Sequence, residues 1–179
     1  MPETRWLDEP QQRSWRAYIH MQGRLAAALN RQLQADSELS LVDFEVLVHL
    51  TDVPEGRVRV FELGRSLQWE KSRLSHHLSR MARRGLIARE ECGEDGRGAF
   101  AVVTEAGRRA IEAAAPSHVA AVRRLLFEGL TPEQVETFGA VCEHVLAQLV
   151  AHDPCATATC SEDALPVVGS PCPDLLEPL

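Results

Sequence analysis

Residues 61–104 read FELGRSLQWEKSRLSHHLSRMARRGLIAREECGEDGRGAFAVVT, and distinct segments separate within them. Between Phe61 and Leu67, Leu63 and Leu67 stand at i,i+4, the spacing of a short helix. From Glu70 to Arg84, Leu74, Leu78 and Met81 recur at helical steps, and Gly85 stands where a helix ends in a left-handed residue. Leu86–Glu90 and Ala99–Val103 read as two strands joined by the turn Gly93-Glu94-Asp95-Gly96-Arg97-Gly98. Upstream, Ser40 is a good N-cap with Asp43 three positions on. The helix it opens lines one face with Leu41, Phe44, Leu47, Val48 and Thr51, and Pro54-Glu55-Gly56 ends it. Val58 and Val60 then read as a very short strand.

The flanks are helical as well. From Asp8 to about Gln34, Trp15, Ile19, Gln22, Ala26, Leu29 and Leu33 recur at three- and four-residue steps. Such a helix approaches ~40 Å, long for a small domain, and a helix that outgrows its own core packs against a second chain. Thr104 is an N-cap for a helix that Pro116 is expected to kink or interrupt, since proline lacks the donor a helix interior needs. The pattern resumes at Val119, Val122 and Leu126 and ends at Gly129. Thr131-Pro132-Glu133-Gln134 then offers an N-cap, a proline at the first position and a capping box. Val135, Phe138, Val141, Val145 and Leu149 follow as an apolar stripe. Residues 152–179 hold five of the ten prolines, five acidic side chains and no Lys or Arg, the make-up of a flexible acidic tail.

Composition narrows the function classes. The chain has 179 residues, 45% hydrophobic and 25% charged, which suits one ordinary domain plus a tail. Only 5% is aromatic, which favours helices over a β-sandwich. Its apolar runs fall short of the ~18 to 20 residues that span a bilayer. MPETRWLDEPQQR carries no cationic lead into an apolar run, so neither a signal peptide nor a membrane partner is expected, and the location expected is cytoplasmic. Cys92, Cys142, Cys155, Cys160 and Cys172 are unevenly placed for a disulfide scaffold and read as thiols. No G-x-S-x-G, phosphate-binding glycine loop or H-E-x-x-H occurs, so an enzyme is not expected, and neither is a cofactor or a catalytic residue.

Helix, short helix, short helix and hairpin within residues 40–103 is the order of a winged helix-turn-helix. The net charge of −7 argues at first against a nucleic-acid partner, yet its distribution reverses the argument. Residues 65–89 contain seven basic side chains against Glu70 alone, a local +6 that leaves −13 for the remainder. Cations gathered on one face neutralise phosphates and release counterions. With Leu74, Leu78 and Met81 inward, Lys71, Ser72, Ser75, His76 and Ser79 point outward, flanked by Arg73 and Arg80. Side chains of these types hydrogen-bond base edges or phosphates from a major-groove helix, and Arg83 and Arg84 are read as phosphate contacts. Glu70 is read as a helix-dipole partner. His76 and His77 point about 100° apart and do not chelate one ion, so His77 is taken as a partly buried packing residue and no metal is expected. The fold expected is mainly α with a small β-hairpin wing. It divides into an N-terminal dimerisation helix (1–39), a DNA-binding domain (40–103), C-terminal dimerisation helices (104–151) and the tail (152–179).

The sequence resembles the MarR family of bacterial winged helix-turn-helix regulators. The resemblance is carried by Glu62-Leu63-Gly64-Arg65-Ser66-Leu67, Lys71-Ser72-Arg73-Leu74-Ser75 and Arg84-Gly85-Leu86-Ile87. Asp95-Gly96-Arg97 and Val103-Thr104-Glu105-Ala106-Gly107 complete it, with Val103 for the usual Leu. His77 departs from the family's usual aliphatic residue. The resemblance implies an obligate homodimer on a pseudo-palindromic double-stranded operator, with Arg97 in the minor groove and Asp95 holding the wing turn. It also implies a small-molecule effector, for which His20, Arg24, Phe44 and His49 are candidate lining residues, and a repressor released by a ligand or by oxidation. Cys92, at the base of the wing, is the candidate redox residue. The competing reading is a winged-helix module that binds protein without DNA.

Overall fold

The computed structural model describes residues 5–91 and 98–152. Among them the order is α1 (Glu9–Ser37), α2 (Leu41–Thr51), β1 (Arg57–Arg59), α3 (Val60–Ser66), α4 (Lys71–Arg83), β2 (Ile87–Glu91), β3 (Ala99–Val103), α5 (Glu105–Val122) and α6 (Pro132–His152). A π-helical stretch, Arg123–Phe127, precedes α6. The chain is mainly helical with a small antiparallel sheet, as the patterning implies. It divides after Ala121 into two compact units. Among the described residues no helix is long and apolar enough to cross a membrane.

Local signals place the helix starts. Asp8 accepts from the Gln11 N–H while the Gln11 side chain accepts from the Asp8 N–H, a reciprocal cap on α1. Ser40 and Asp43 do the same for α2, and Thr131 and Gln134 for α6. Gly85 follows α4 at φ 74°, a conformation that costs glycine nothing.

The core of the first unit collects Leu33 from α1, Val46, Leu47 and Leu50 from α2, Leu63 from α3, and Leu74, Leu78 and Met81 from α4. Ile111, Ala114 and Ala115 of α5 join them. α1 supplies only Leu29 and Leu33 to buried positions, while Trp15, Tyr18 and Ile19 upstream stay exposed. In the second unit α6 buries none of its residues, and Val141, Val145, Leu146 and Leu149 lie open.

The wing is larger than a hairpin. β3 lies between β1 and β2, with Val58 opposite Ala101 and Arg89 opposite Ala101 on the other side. The short strand therefore spans residues 57–59, and Val60 opens α3 instead of extending it. Below the sheet Thr104 ties β2 to α5. Its hydroxyl accepts from the Gly107 N–H at 3.0 Å and is directed at the Gly85 and Leu86 carbonyls, 2.6 and 3.0 Å away. α5 approaches so closely that a Cβ on Gly107 would stand 2.0 Å from the Leu86 carbonyl oxygen.

Pro116 does not interrupt its helix: α5 runs unbroken from Glu105 to Val122. Pro116 and Glu112, whose carbonyl loses its i+4 donor, are both exposed, on the side of the helix where a missing donor costs least. The departure from α-geometry comes later, at the π-helical stretch.

Candidate nucleic-acid interface

The surface that the charge pattern singles out is the outward side of α4. Leu74, Leu78 and Met81 are buried, which turns Lys71, Ser72, Arg73, His76 and Arg80 to solvent, all of them exposed. Ser75 and Ser79 are half-buried at its edge. The Ser79 hydroxyl donates to the Ser75 carbonyl at 2.8 Å and is approached by Arg89 of β2 at 3.4 Å, so it is less free than its spacing implies. Glu70 occupies the N-cap of α4 without a side-chain hydrogen bond to the helix.

Beneath this face lies a buried ionic knot. Asp43, 2% exposed on α2, accepts from the Ser40 N–H at 2.9 Å and from the Arg84 guanidinium at 2.7 Å. His77 Nε2 lies 3.1 Å from the other carboxylate oxygen, close enough for an ion pair but poorly aligned for a directed hydrogen bond. Burial raises the Asp43 pKa, but His77, the Ser40 N–H, Arg84 and the Ser40 hydroxyl together outweigh it and hold the carboxyl well below the usual carboxylate range. Arg84 also donates to the Glu38 carbonyl at the C-cap of α1, 2.8 Å away. One carboxylate and one guanidinium thus join the ends of α1, α2 and α4.

Two sequence readings change here. His77 is only 7% exposed and its Nε2 faces the Asp43 carboxylate, so it is more than a packing residue. Arg84 is committed to Asp43 and Glu38 and is not a free phosphate cation, whereas Arg83 is exposed with no partner among the described residues.

Trp69 was not foreseen. Its ring meets His77 edge-on, 5.5 Å between centroids at 88°, and carries the Arg73 guanidinium over its face at 4.5 Å. Arg80 NH2 lies 3.4 Å from His77 Nδ1. Ser40 and Val42 on one side and Trp69, Arg73, His76 and Arg80 on the other border an open groove. The only sequence hint was an aromatic four residues ahead of an arginine, a pairing with meaning once a helix start is fixed between them.

Asp95, Arg97 and Cys92 lie outside the described residues, as do Cys155, Cys160 and Cys172. Of the candidate effector residues, His20 and Arg24 are exposed on α1 and His49 is half-buried. Phe44 is buried and packs against His118, ring centroids 4.4 Å apart. Burial lowers the pKa of both His49 and His118, with Asp52 partly offsetting the effect at His49. Cys142 is an exposed thiol on α6.

Two helices meeting over a shared core, the second polar and basic outside and followed by a small sheet, define a winged helix-turn-helix protein. A model of the MarR family matches residues 37–98. Sco3205, a MarR family transcriptional regulator from Streptomyces coelicolor solved in complex with DNA, is 38% identical over 88% of this chain and 97% of its own, with a TM-score of 0.79. AbsC, a MarR family transcriptional regulator from the same organism, is 36% identical over 83% of this chain and 99% of its own, with a TM-score of 0.76. Sco5413, also from Streptomyces coelicolor, shares the fold at 20% identity and a TM-score of 0.70. No curated protein sequence matches. This chain belongs to the MarR family of transcriptional regulators, whose members are DNA-binding transcription factors and not enzymes.

Proposed function

We propose that the chain acts as a homodimer that binds a pseudo-palindromic duplex operator, with α4 in the major groove and the wing at the adjacent minor groove. The observation that carries this reading is the exposed row Lys71, Ser72, Arg73, His76 and Arg80, backed by a wholly buried Leu74–Leu78–Met81 stripe. A row of this kind offers guanidinium and hydroxyl donors to base edges and cations to phosphates. Ser75 and Ser79 border it, and the family resemblance assigns Arg97 to the minor groove with Asp95 as its support.

A dimer is supported by apolar surface the single chain leaves in water. Trp15 is 55% exposed on α1 and Leu149 61% exposed on α6, with Ile19, Val141 and Val145 beside them in their stripes. Stripes of that size mark contact surfaces. A two-fold pair sets its recognition helices ~34 Å apart, one turn of duplex, and doubles the sequence each molecule reads. The finer reading is a repressor whose hold on the operator is released by a small molecule or by cysteine oxidation.

The test is selection of bound sequences from random duplexes with the full chain, followed by titration of the selected duplex at several salt concentrations. Contact with ~6 to 10 phosphates gives a log–log slope of several units. Arg97→Ala should weaken binding without lowering the unfolding midpoint. A flat salt response, or no enrichment of any sequence, overturns the proposal; loss of binding on adding small aromatic acids or peroxide supports release.

A further inference from the structure

We infer that buried His77 is a positioning residue for DNA recognition: held by Asp43, it sets Arg80 directly and Arg73 through Trp69. This rests on the DNA-binding reading above and adds to it a layer behind the contact surface.

The two imidazole nitrogens have different neighbours. Nε2 faces the Asp43 carboxylate at 3.1 Å, a group that only accepts, so Nε2 carries the hydrogen. In the neutral ring Nδ1 is then left with its lone pair. That lone pair lies 3.4 Å from Arg80 NH2, which only donates. The carboxylate thus selects the tautomer that lets the ring accept from Arg80. On its other side the ring abuts Trp69, and Trp69 holds the Arg73 guanidinium by its face. Arg73 and Arg80 stand four residues before and three residues after His77, with the exposed His76 between them along the helix.

Fixing these guanidiniums matters for one kind of contact and not the other. A mobile arginine neutralises a phosphate nearly as well as a fixed one, because the attraction is long-ranged and undirected. A bidentate bond to a base edge needs the guanidinium plane in place, and ordering a free arginine on binding costs entropy. Removing His77 therefore lowers selectivity and leaves affinity for arbitrary duplex intact.

The experiment compares wild-type protein with His77→Leu and His77→Gln on two probes, the tightest duplex selected from a random pool and a scrambled duplex of the same composition. Leu matches the apolar neighbours Leu74 and Leu78; Gln keeps an N–H for Asp43 but loses the rigid ring that fixes an acceptor toward Arg80 and an edge against Trp69. Both variants should unfold cooperatively and bind the scrambled duplex within about twofold of wild type, while preference for the selected duplex falls about tenfold. In an Arg73→Ala, Arg80→Ala background, where both guanidiniums that His77 is argued to set are gone, His77→Gln should change that preference by less than about twofold. A folded Gln variant with unchanged preference overturns the inference, as does equal weakening on both probes, the mark of a merely structural role. If the Leu variant does not fold, the Gln variant and the cycle carry the test. Wild-type protein that selects no sequence overturns the DNA-binding reading beneath it as well.

Discussion

Asp43→Ala removes the carboxylate that joins α1, α2 and α4, and its cost can be assembled from the contacts it makes. The Ser40 N–H loses its acceptor, which for a helix cap costs about 1 kcal/mol. The bond from Arg84 is charge-assisted, a class worth roughly 1.5–3 kcal/mol in full burial, and the close but poorly aligned contact with buried His77 falls at or below the low end of that range. The Arg84 side chain is 41% exposed and regains water, so its share is discounted well below that range. The net expectation is about 3 kcal/mol, at the low end for breaking a buried ion pair. Urea unfolding at fixed protein concentration measures it, with an unchanged m-value as the check that the unfolded state is the same. The pH dependence has a defined sign. The folded-state pKa of Asp43 is depressed, so its contribution is complete above about pH 4 and is lost as pH falls through the lower native value. The gap between wild type and variant should therefore be constant at neutral pH and close in strong acid. A loss below about 1 kcal/mol, or a gap that widens in acid, refutes the reasoning.

Further expectations follow from single contacts. Gly107→Ala drives a methyl into the Leu86 carbonyl, and overpacking of this kind costs about 1–3 kcal/mol, read as a lower unfolding midpoint. Arg84→Ala should destabilise the fold with a smaller effect on DNA affinity, whereas Arg83→Ala should leave the midpoint alone and flatten the salt dependence; identical behaviour of the two would contradict the assignments made to them. Val145→Asp places a charge in the open stripe of α6 and should shift sedimentation from dimer toward monomer, with operator binding lost in parallel.

The parts of this molecule legible in its sequence are those whose causes lie within a few residues. Ser40 and Asp43 announce α2, Leu74, Leu78 and Met81 orient α4, and the Thr131 box starts α6, because caps and stripes are local physics. The outward row on α4 followed from its inward one. Pro116 misled because its cost depends on whether the orphaned carbonyl reaches water, which the local pattern does not state. Arg84 looked like its neighbours in the basic run; its partner Asp43 is 41 positions away, and no periodicity links them. The same holds for His77, whose departure from an aliphatic residue was visible while its partner was not. β1 is a strand only because β3 returns beside it.

The joint between Arg84 and the Glu38 carbonyl gives α1 leverage. α1 is anchored in the core at Leu29 and Leu33, and the Glu38 carbonyl lies about 7.5 Å beyond Leu33 at 1.5 Å per residue, so a tilt of about twelve degrees about that anchor moves the Glu38 oxygen by about 1.5 Å. A displacement of that size breaks a bond 2.8 Å long, and the guanidinium released is the one that pins the base of α4. A swing of the exposed end of this long rod about its buried anchor therefore reaches the base of the reading helix.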